Sequence, residues 1–177
     1  MKKIDDNIYF YPTEKNKGIL KYPKCNIEQE AYIGKNGLTN EKEEGDQKTP
    51  IGKFELGIIL NTQKNGKNKN NIPYTKITNN MYWVDDVNSK YYNQLVNIKE
   101  VEKDWERAEH LIEYKTQYEY LIEIKTNPNN IPNKGSAIFL HCTNNTPTAG
   151  CISIDTQIMK KIIENISKNT KILICDK

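Results

Sequence analysis

The sequence contains no long hydrophobic run. No stretch of its 177 residues approaches the roughly 18 consecutive apolar residues of a membrane-spanning helix, so no integral membrane segment is expected. Met1 to Pro12 carries two lysines but no apolar segment after them, which excludes a secretory signal in that stretch. The protein is therefore expected either to stay in the cytoplasm or to have lost an export signal that preceded this sequence.

Closely paired cysteines are also missing. The four cysteines, Cys25, Cys142, Cys151 and Cys175, form no C-x-x-C pair and no dense framework. Zinc sites usually contain such tight pairs, so a metal site built from His141 and these thiols is the least favoured alternative and no metal is expected. A domain of this size does not need disulfides to fold, so we expect reduced and mostly buried thiols.

Strong charge of one sign is absent as well. The 26 basic and 23 acidic residues leave a net charge of only +3. The one notable basic run, Lys64 to Lys69, is interrupted by Asn and Gly and contains no aromatic residue. This composition is typical of a solvated loop rather than a nucleic-acid-binding surface, so no nucleic-acid partner is expected.

The sequence does contain short segments that are typical of β-strands. Phe54, Leu56 and Ile58 alternate with polar or small neighbours, which predicts a half-buried strand. Ala137 to Leu140 is an apolar run bounded by turn residues, which fits a strand buried on both faces. Further strands are predicted near 29–35, 118–124 and 171–175, and a loop at 61–73.

Two segments show helical periodicity. In 155–168, apolar residues repeat at helical spacing and Asp155 can cap the first turn. The segment 104–114 predicts a short helix with Trp105 and Ala108 turned inward and His110 on one face. The predicted fold class is therefore mainly β with one or two helices, in an undetermined strand order.

Residues 135–154 carry the side chains with catalytic chemistry. A buried strand leads to His141, a polar loop follows, and Cys151 stands at the start of the next element. A nucleophilic cysteine needs a base, because a free thiol ionises only near pH 8.5, and imidazole is the natural partner. If the loop folds back, the two side chains face each other and share a proton, which lowers the pH of thiol ionisation. Gly150 permits close approach of a substrate carbonyl, and N–H groups around 149–151 are candidate oxyanion donors.

The spacing of this pair is not specific by itself. A buried structural thiol at Cys151 and a core histidine at His141 are the corresponding non-catalytic interpretations. Cys142 follows His141 directly, so its side chain is expected on the opposite face of the strand as a packing residue.

The complete string around Cys151 resembles the catalytic motif of the L,D-transpeptidase (YkuD-type) family, a His at a strand end followed by Ser/Thr-x-Gly-Cys. Those positions fall here on His141, Thr148, Gly150 and Cys151. A second block resembles the family's upstream G-x-x-x-T-P-x-G-x-F strand and consists of Gly45, Asp46, Thr49, Pro50, Ile51, Gly52 and Phe54. A third block, at 82–93 and 109–111, resembles a subgroup of the same family.

The resemblance implies one catalytic domain over residues 1–177, with its core at about 30–176 and a YkuD-like β-sandwich fold. It implies that Cys151 attacks the L,D peptide bond of a peptidoglycan stem peptide and expels D-alanine. The thioester then passes its acyl group to an amine, which forms a 3→3 cross-link, or to water. No cofactor is implied, the partners are stem peptides, and a monomer is expected. The implied site of action lies outside the membrane, at the cell wall.

This chain departs from the family pattern near the nucleophile. Many members have a His where this chain has Ala149, an Arg where it has Ser153, and a Gly where it has Cys142. The first change leaves His141 as the sole motif histidine, and the second removes an anchor for a substrate carboxylate. The motif or oxyanion candidates are Gly150, Thr148 and Ala149, and the substrate-cleft candidates are Ser153, Asp85, Asn88, Asn93 and His110.

Several alternatives stay open at this point. An L,D-carboxypeptidase, or a cysteine peptidase or amidase with another substrate, would use the same Cys-His pair. A non-catalytic wall-binding domain on the same fold is a different class, although a pure binder has no need of a thiolate. Asp85, Asp86 and Asn88 equally fit ordinary Asx turns, and Thr148 equally fits a turn residue.

Overall fold

The computed structural model describes residues 5–177 and is built mainly from β-strands. Its α-helix is α1 (Thr156–Asn165), and Pro23–Cys25 and Leu111–Glu113 form short 3-10 helices. The strands of this part of the chain are β1 (Ile8–Glu14), β2 (Lys17–Tyr22), β3 (Ile27–Tyr32), β4 (Leu38–Thr39), β5 (Thr49–Pro50), β6 (Gly52–Asn61), β7 (Gly66–Lys67), β8 (Pro73–Lys76), β9 (Met81–Val84), β10 (Leu95–Asn97), β11 (Ala108–His110), β12 (Tyr120–Ile124), β13 (Phe139–Cys142), β14 (Ile152–Ile154) and β15 (Lys171–Ile174).

The main sheet runs in the order β12-β13-β14-β3-β2-β1-β15-β6-β8-β7, and β6 also pairs with β12. Strand β6 is 10 residues long, so different parts of it can pair with β15 and with β12. Its first part pairs with β15, and its second part pairs with β12. The strands from β12 round to β6 therefore close on themselves, which leaves few unpaired backbone groups along the sheet. The prediction of a mainly β fold is confirmed.

A β-bulge in β6 decides which of its side chains face inward. Ile59 pairs with Ile122 but Leu56 pairs with Ile124, so β6 has one residue more than β12 between these two points. The extra residue reverses the alternation, so that Ile59 is buried while Ile58 is 42% exposed. The alternation predicted that Phe54, Leu56 and Ile58 lie on the same half-buried face of the strand, and this prediction is wrong at Ile58.

The larger hydrophobic core is formed by inward residues of the closed sheet and by helix α1. The Asp155 side chain caps this helix, since its carboxylate accepts hydrogen bonds from the backbone N–H groups of Gln157 and Ile158. Met159 and Ile162 of the helix are fully buried against the sheet. The helix predicted at 155–168 is confirmed, with its end at Asn165.

The segment 104–114 is not a helix. Ala108–His110 forms strand β11, which pairs antiparallel with β9, and only Leu111–Glu113 makes a single 3-10 turn. Pairing with β9 satisfies the backbone of this segment, while Trp105 packs its ring against Tyr82 and Tyr91. Tertiary pairing has overridden the helical spacing of the apolar residues.

A small sheet in the order β10-β9-β11 lies over a second core on the other side of β13. Trp83 of β9 meets Phe139 of β13 edge-on, with ring centroids 4.8 Å apart. Leu140 and Cys142 of β13 belong instead to the larger core. This confirms that Cys142 packs on the face of the strand opposite to His141.

No helix within residues 5–177 is both long enough and apolar enough to cross a membrane.

Candidate active site

Parallel pairing of β13 and β14 brings the Cys-His pair to one face of the sheet. His141 lies opposite Ser153 and Leu140 opposite Ile152. Cys151 stands one residue before β14 and is therefore next to Phe139, two positions before His141 on the same face. The predicted fold-back of the loop is thus present in the structure.

The Cys151 thiol is held by two backbone groups. Its sulfur donates to the carbonyl oxygen of Ala137 at 3.2 Å and accepts from the N–H of Phe139 at 3.3 Å. The side chain is only 8% exposed. A thiol that donates to a carbonyl is protonated, so this geometry describes the neutral form of the Cys151 side chain.

The loop before Cys151 is braced by two threonine hydroxyls. Thr148 donates to the carbonyl oxygen of Cys151 at 2.6 Å and accepts from the N–H of Gly150 at 3.1 Å. Thr49, from the upstream Thr-Pro block, donates to the carbonyl oxygen of Gly150 at 2.7 Å and accepts from the N–H of Gly34 at 2.9 Å. The two sequence blocks that resemble the family are thus joined directly beside Cys151.

Gly150 is required by its backbone conformation and its surroundings. Its φ of 144° lies in a region that L-residues rarely adopt. A Cβ atom at this position would lie 3.0 Å from the carbonyl oxygen of Lys48 and 3.1 Å from Cδ1 of Ile138. A side chain here would crowd both neighbours and strain the backbone, which accounts for a glycine before Cys151.

His141 is oriented by its own strand. Its Nδ1 lies 2.7 Å from the carbonyl oxygen of Cys142. Because a carbonyl oxygen can only accept, Nδ1 carries the hydrogen and Nε2 of the neutral ring is left free to take a proton. The ring of Tyr118 packs edge-on against the imidazole at a centroid distance of 5.5 Å. The tautomer and the ring plane are therefore fixed by these two contacts.

Burial keeps both members of the pair neutral in the resting state. Desolvation lowers the pKa of His141 to about 4. Desolvation, followed by the negative charge of Glu109, raises the pKa of Cys151 to about 12. This direction is opposite to the lowered thiol pKa expected from the sequence, because burial outweighs the hydrogen bond from the N–H of Phe139, which lowers the pKa.

Cys151 opens onto a cleft of about 440 Å³. The cleft walls carry charges of both signs. Lys42 forms an ion pair with Asp46, and Arg107 donates to the backbone carbonyl oxygen of Asp85 at 3.0 Å. The lining residues are Lys42, Glu44, Gly45, Gln47, Asp85, Val87, Arg107, Glu109, Asn133, Ser136, Ala137, Ile138, Ala149 and Cys151.

Of two neighbouring residues predicted for the cleft, Asp85 lies in it and Asn88 does not. Asp85 lines the cleft, and its Oδ1 is buried without a hydrogen-bond partner in the structure. Burial raises the pKa of its carboxyl group. Asn88 is exposed outside the cleft lining, and its N–H donates to Asp86 in an Asx turn.

Asn93, His110 and Ser153 do not line the cleft. The Asn93 amide accepts from the indole N–H of Trp83 and from the N–H of Ala137, so it braces the segment that receives the Cys151 thiol. His110 stacks on Tyr82 at 4.3 Å. Ser153 is fully buried beside His141 in the strand ladder.

The sequence reasoning did not assign a role to Lys42, Glu109 or Tyr118. Glu109 lay inside the third block that resembled the family, which was the available signal. Tyr118 belongs to the strand predicted at 118–124, and the sequence contains no signal for Lys42. Within residues 5–177 no group of three or more His, Cys, Asp or Glu side chains is arranged to hold a metal ion.

His141 and Cys151 thus share one face of the sheet, and Cys151 opens onto the cleft. The family model of the L,D-transpeptidase catalytic domain (YkuD) matches residues 3–174. The chain therefore belongs to the L,D-transpeptidase (YkuD) family. The match includes the first two strands, which the motif resemblance had left outside the core. Comparison with curated proteins and with solved structures found no match.

Proposed function

We propose that this protein is a peptidoglycan L,D-transpeptidase that uses Cys151 as nucleophile and His141 as base. The observation that carries the proposal is the placement of the Cys151 thiol at the wall of the cleft, with the free Nε2 of His141 on the same sheet face. The substrate class follows from membership of the family and is the part of the proposal that rests on the comparison.

The proposed reaction starts with rotation of the thiol away from the Ala137 carbonyl and transfer of its proton to His141. The thiolate attacks the carbonyl carbon of the L,D peptide bond, and the resulting oxyanion accepts hydrogen bonds from backbone N–H groups. The N–H of Gly150 is already bonded to Thr148, which leaves those of Ala149 and Cys151 as the candidate donors. His141 then protonates the amine of the departing D-alanine, leaving a thioester on Cys151.

The second half of the reaction is proposed to reverse the proton transfers. Neutral His141 removes a proton from an attacking amine, or from water, and Cys151 leaves as the thiol. An amine from a neighbouring stem gives a 3→3 cross-link, and water gives the hydrolysed stem of a carboxypeptidase. The exposed Ala149 puts only a methyl group where many family members carry an imidazole. This leaves His141 as the base for both halves.

The test is incubation of the protein with a tetrapeptide stem that ends in D-alanine, with and without an acceptor stem. Mass spectrometry should detect release of D-alanine in both cases and a cross-linked dimer when acceptor is present. A stem ending in L-alanine and the Cys151→Ala variant are the matched controls, and both should be inert. A folded protein that releases nothing from the D-alanine stem would refute the proposal, while release without cross-linking would make it a carboxypeptidase.

We also propose that the protein acts outside the cytoplasmic membrane, since intact peptidoglycan lies there. Fractionation of the native host should find the protein with the cell wall or envelope. A purely cytoplasmic protein, with no export signal encoded upstream, would refute this. Its role would then be the processing of wall fragments inside the cell.

A further inference from the structure

Glu109 and Tyr118 form a hydrogen-bonded pair beside the nucleophile. Glu109 lies on β11 and lines the same cleft as Cys151. The Tyr118 hydroxyl donates to Oε2 of Glu109. The Tyr118 ring also packs edge-on against His141 at 5.5 Å and against Phe139, whose N–H holds the Cys151 sulfur, at 5.6 Å. One tyrosine thus connects the carboxyl group to both members of the catalytic pair.

The other charges around Glu109 do not neutralise it directly. Asp85 and Glu44 face it with the same sign, and the Tyr114 hydroxyl lies nearby. Lys42 and Arg107 line the cleft, but Lys42 is paired with Asp46, and no ion pair to Glu109 is present within residues 5–177. His110, the next residue on the strand, bonds instead to Glu113 and to the backbone of Asn79.

We propose that Glu109, held by Tyr118, controls the ionisation of Cys151: its carboxylate keeps the thiol protonated, and loss of that negative charge allows the thiol to ionise. Glu109 is in this sense a positioning residue that acts through the nucleophile. The proposal rests on the proposed role of Cys151.

The electrostatic directions agree with this geometry. Burial raises the pKa of Glu109 to about 7, while the hydrogen bond from Tyr118 opposes that rise. The charge of Glu109 in turn raises the pKa of Cys151, second only to burial. With a pKa of about 7, Glu109 is neutral below that pH and charged above it. The thiol is therefore easier to ionise below about pH 7, because the coupling between the two groups is reciprocal.

The test is the alkylation rate of Cys151 by iodoacetamide between pH 5.5 and 8.5 in wild type and Glu109→Gln. Cys142 and Cys151 share one tryptic peptide, so fragment ions must assign the label. The glutamine oxygen can still accept from Tyr118. We expect equal rates at pH 5.5 and a variant roughly 10-fold faster at pH 8.5, since a nearby like charge shifts a pKa by about one unit or more. The wild-type profile should flatten near pH 7, and the variant profile should rise evenly.

Tyr118→Phe tests the connection between the two groups. Without the hydroxyl, the pKa of Glu109 rises, so the flattened part of the profile should move to higher pH. In the double variant with Glu109→Gln, Tyr118→Phe should change the rate less than 2-fold, because its effect passes through Glu109. Glu113→Gln, which removes an exposed carboxylate four residues further along, is the control and should match wild type.

The proposal is overturned if Glu109→Gln alkylates at the wild-type rate at every pH, or if the two rates differ by one constant factor across the range. A constant factor would indicate altered access to the sulfur rather than loss of a titrating charge. Alkylation reports on the thiol without any stem peptide. A negative result here therefore leaves the proposed reaction standing, and an inert stem peptide leaves this inference standing.

Discussion

Replacement of Cys151 by Ala or by Ser should abolish turnover of the stem peptide, with a loss of at least roughly 10⁴-fold. Alanine removes the proposed nucleophile, the thiol that lines the cleft on the same sheet face as His141. Serine keeps the shape, but its hydroxyl is far less acidic than a thiol that burial already holds neutral. Release of D-alanine, measured by mass spectrometry, is the readout.

Cys142→Ala is the matched control for the nucleophile. Cys142 is fully buried next to His141 but faces the larger core. Its loss should cost about 1 kcal/mol of folding free energy through a small cavity and leave the reaction nearly intact. Circular dichroism should show that all three variants remain folded. An active Cys151→Ala together with a folded, inactive Cys142→Ala would transfer the nucleophile to the other strand face and refute the assignment.

Replacement of His141 by Ala should reduce the turnover rate by roughly two to four orders of magnitude, the usual effect of losing a general base. Burial keeps the pKa of His141 near 4, so the ring is neutral and able to accept the thiol proton at all higher pH values. As the pH falls towards 4, the ring takes up a proton from solvent and the base is lost. The acid limb of the wild-type profile that belongs to His141 should therefore lie near pH 4, and the variant should lack it.

His110→Ala is the control for the second histidine. His110 stacks on Tyr82 and bonds to Glu113 and to the backbone of Asn79, away from the cleft lining. Its removal should affect folding stability more than turnover. A turnover loss in His110→Ala equal to that in His141→Ala would mean that His141 is not the specific base. The proposed Cys151-His141 pair would then be refuted.

The proximity of His141 and Cys151 on one sheet face could be predicted from the sequence. Family motifs join residues that are close along the chain, and a strand followed by a short loop and a second strand can place His141 and Cys151 together with few other choices. The same local logic predicted helix α1, because the spacing of its buried residues and the Asp155 cap depend only on neighbours along the chain.

The ionisation of the pair was decided by the tertiary structure. The pKa of a thiol depends on how completely water is excluded and on charges brought close by other elements. Glu109 and Tyr118 come from segments about 30 to 40 residues away from Cys151. Glu109 approaches it because β11 pairs with β9 over the second core, and Tyr118 because it precedes β12, which pairs with β13. Their contact with the site could not be read from spacing.

The same distinction explains the errors in secondary structure. Residues 104–114 have helical spacing, yet pairing of β11 with β9 satisfies their backbone as a strand. Ile58 fits the alternation of its own strand, yet a bulge against β12 turns it outward. Periodicity reports on one segment at a time, whereas strand pairing and register are properties of two segments. The sequence alone therefore predicted which two side chains lie together, and the closed sheet decided their burial, their partners and their charge.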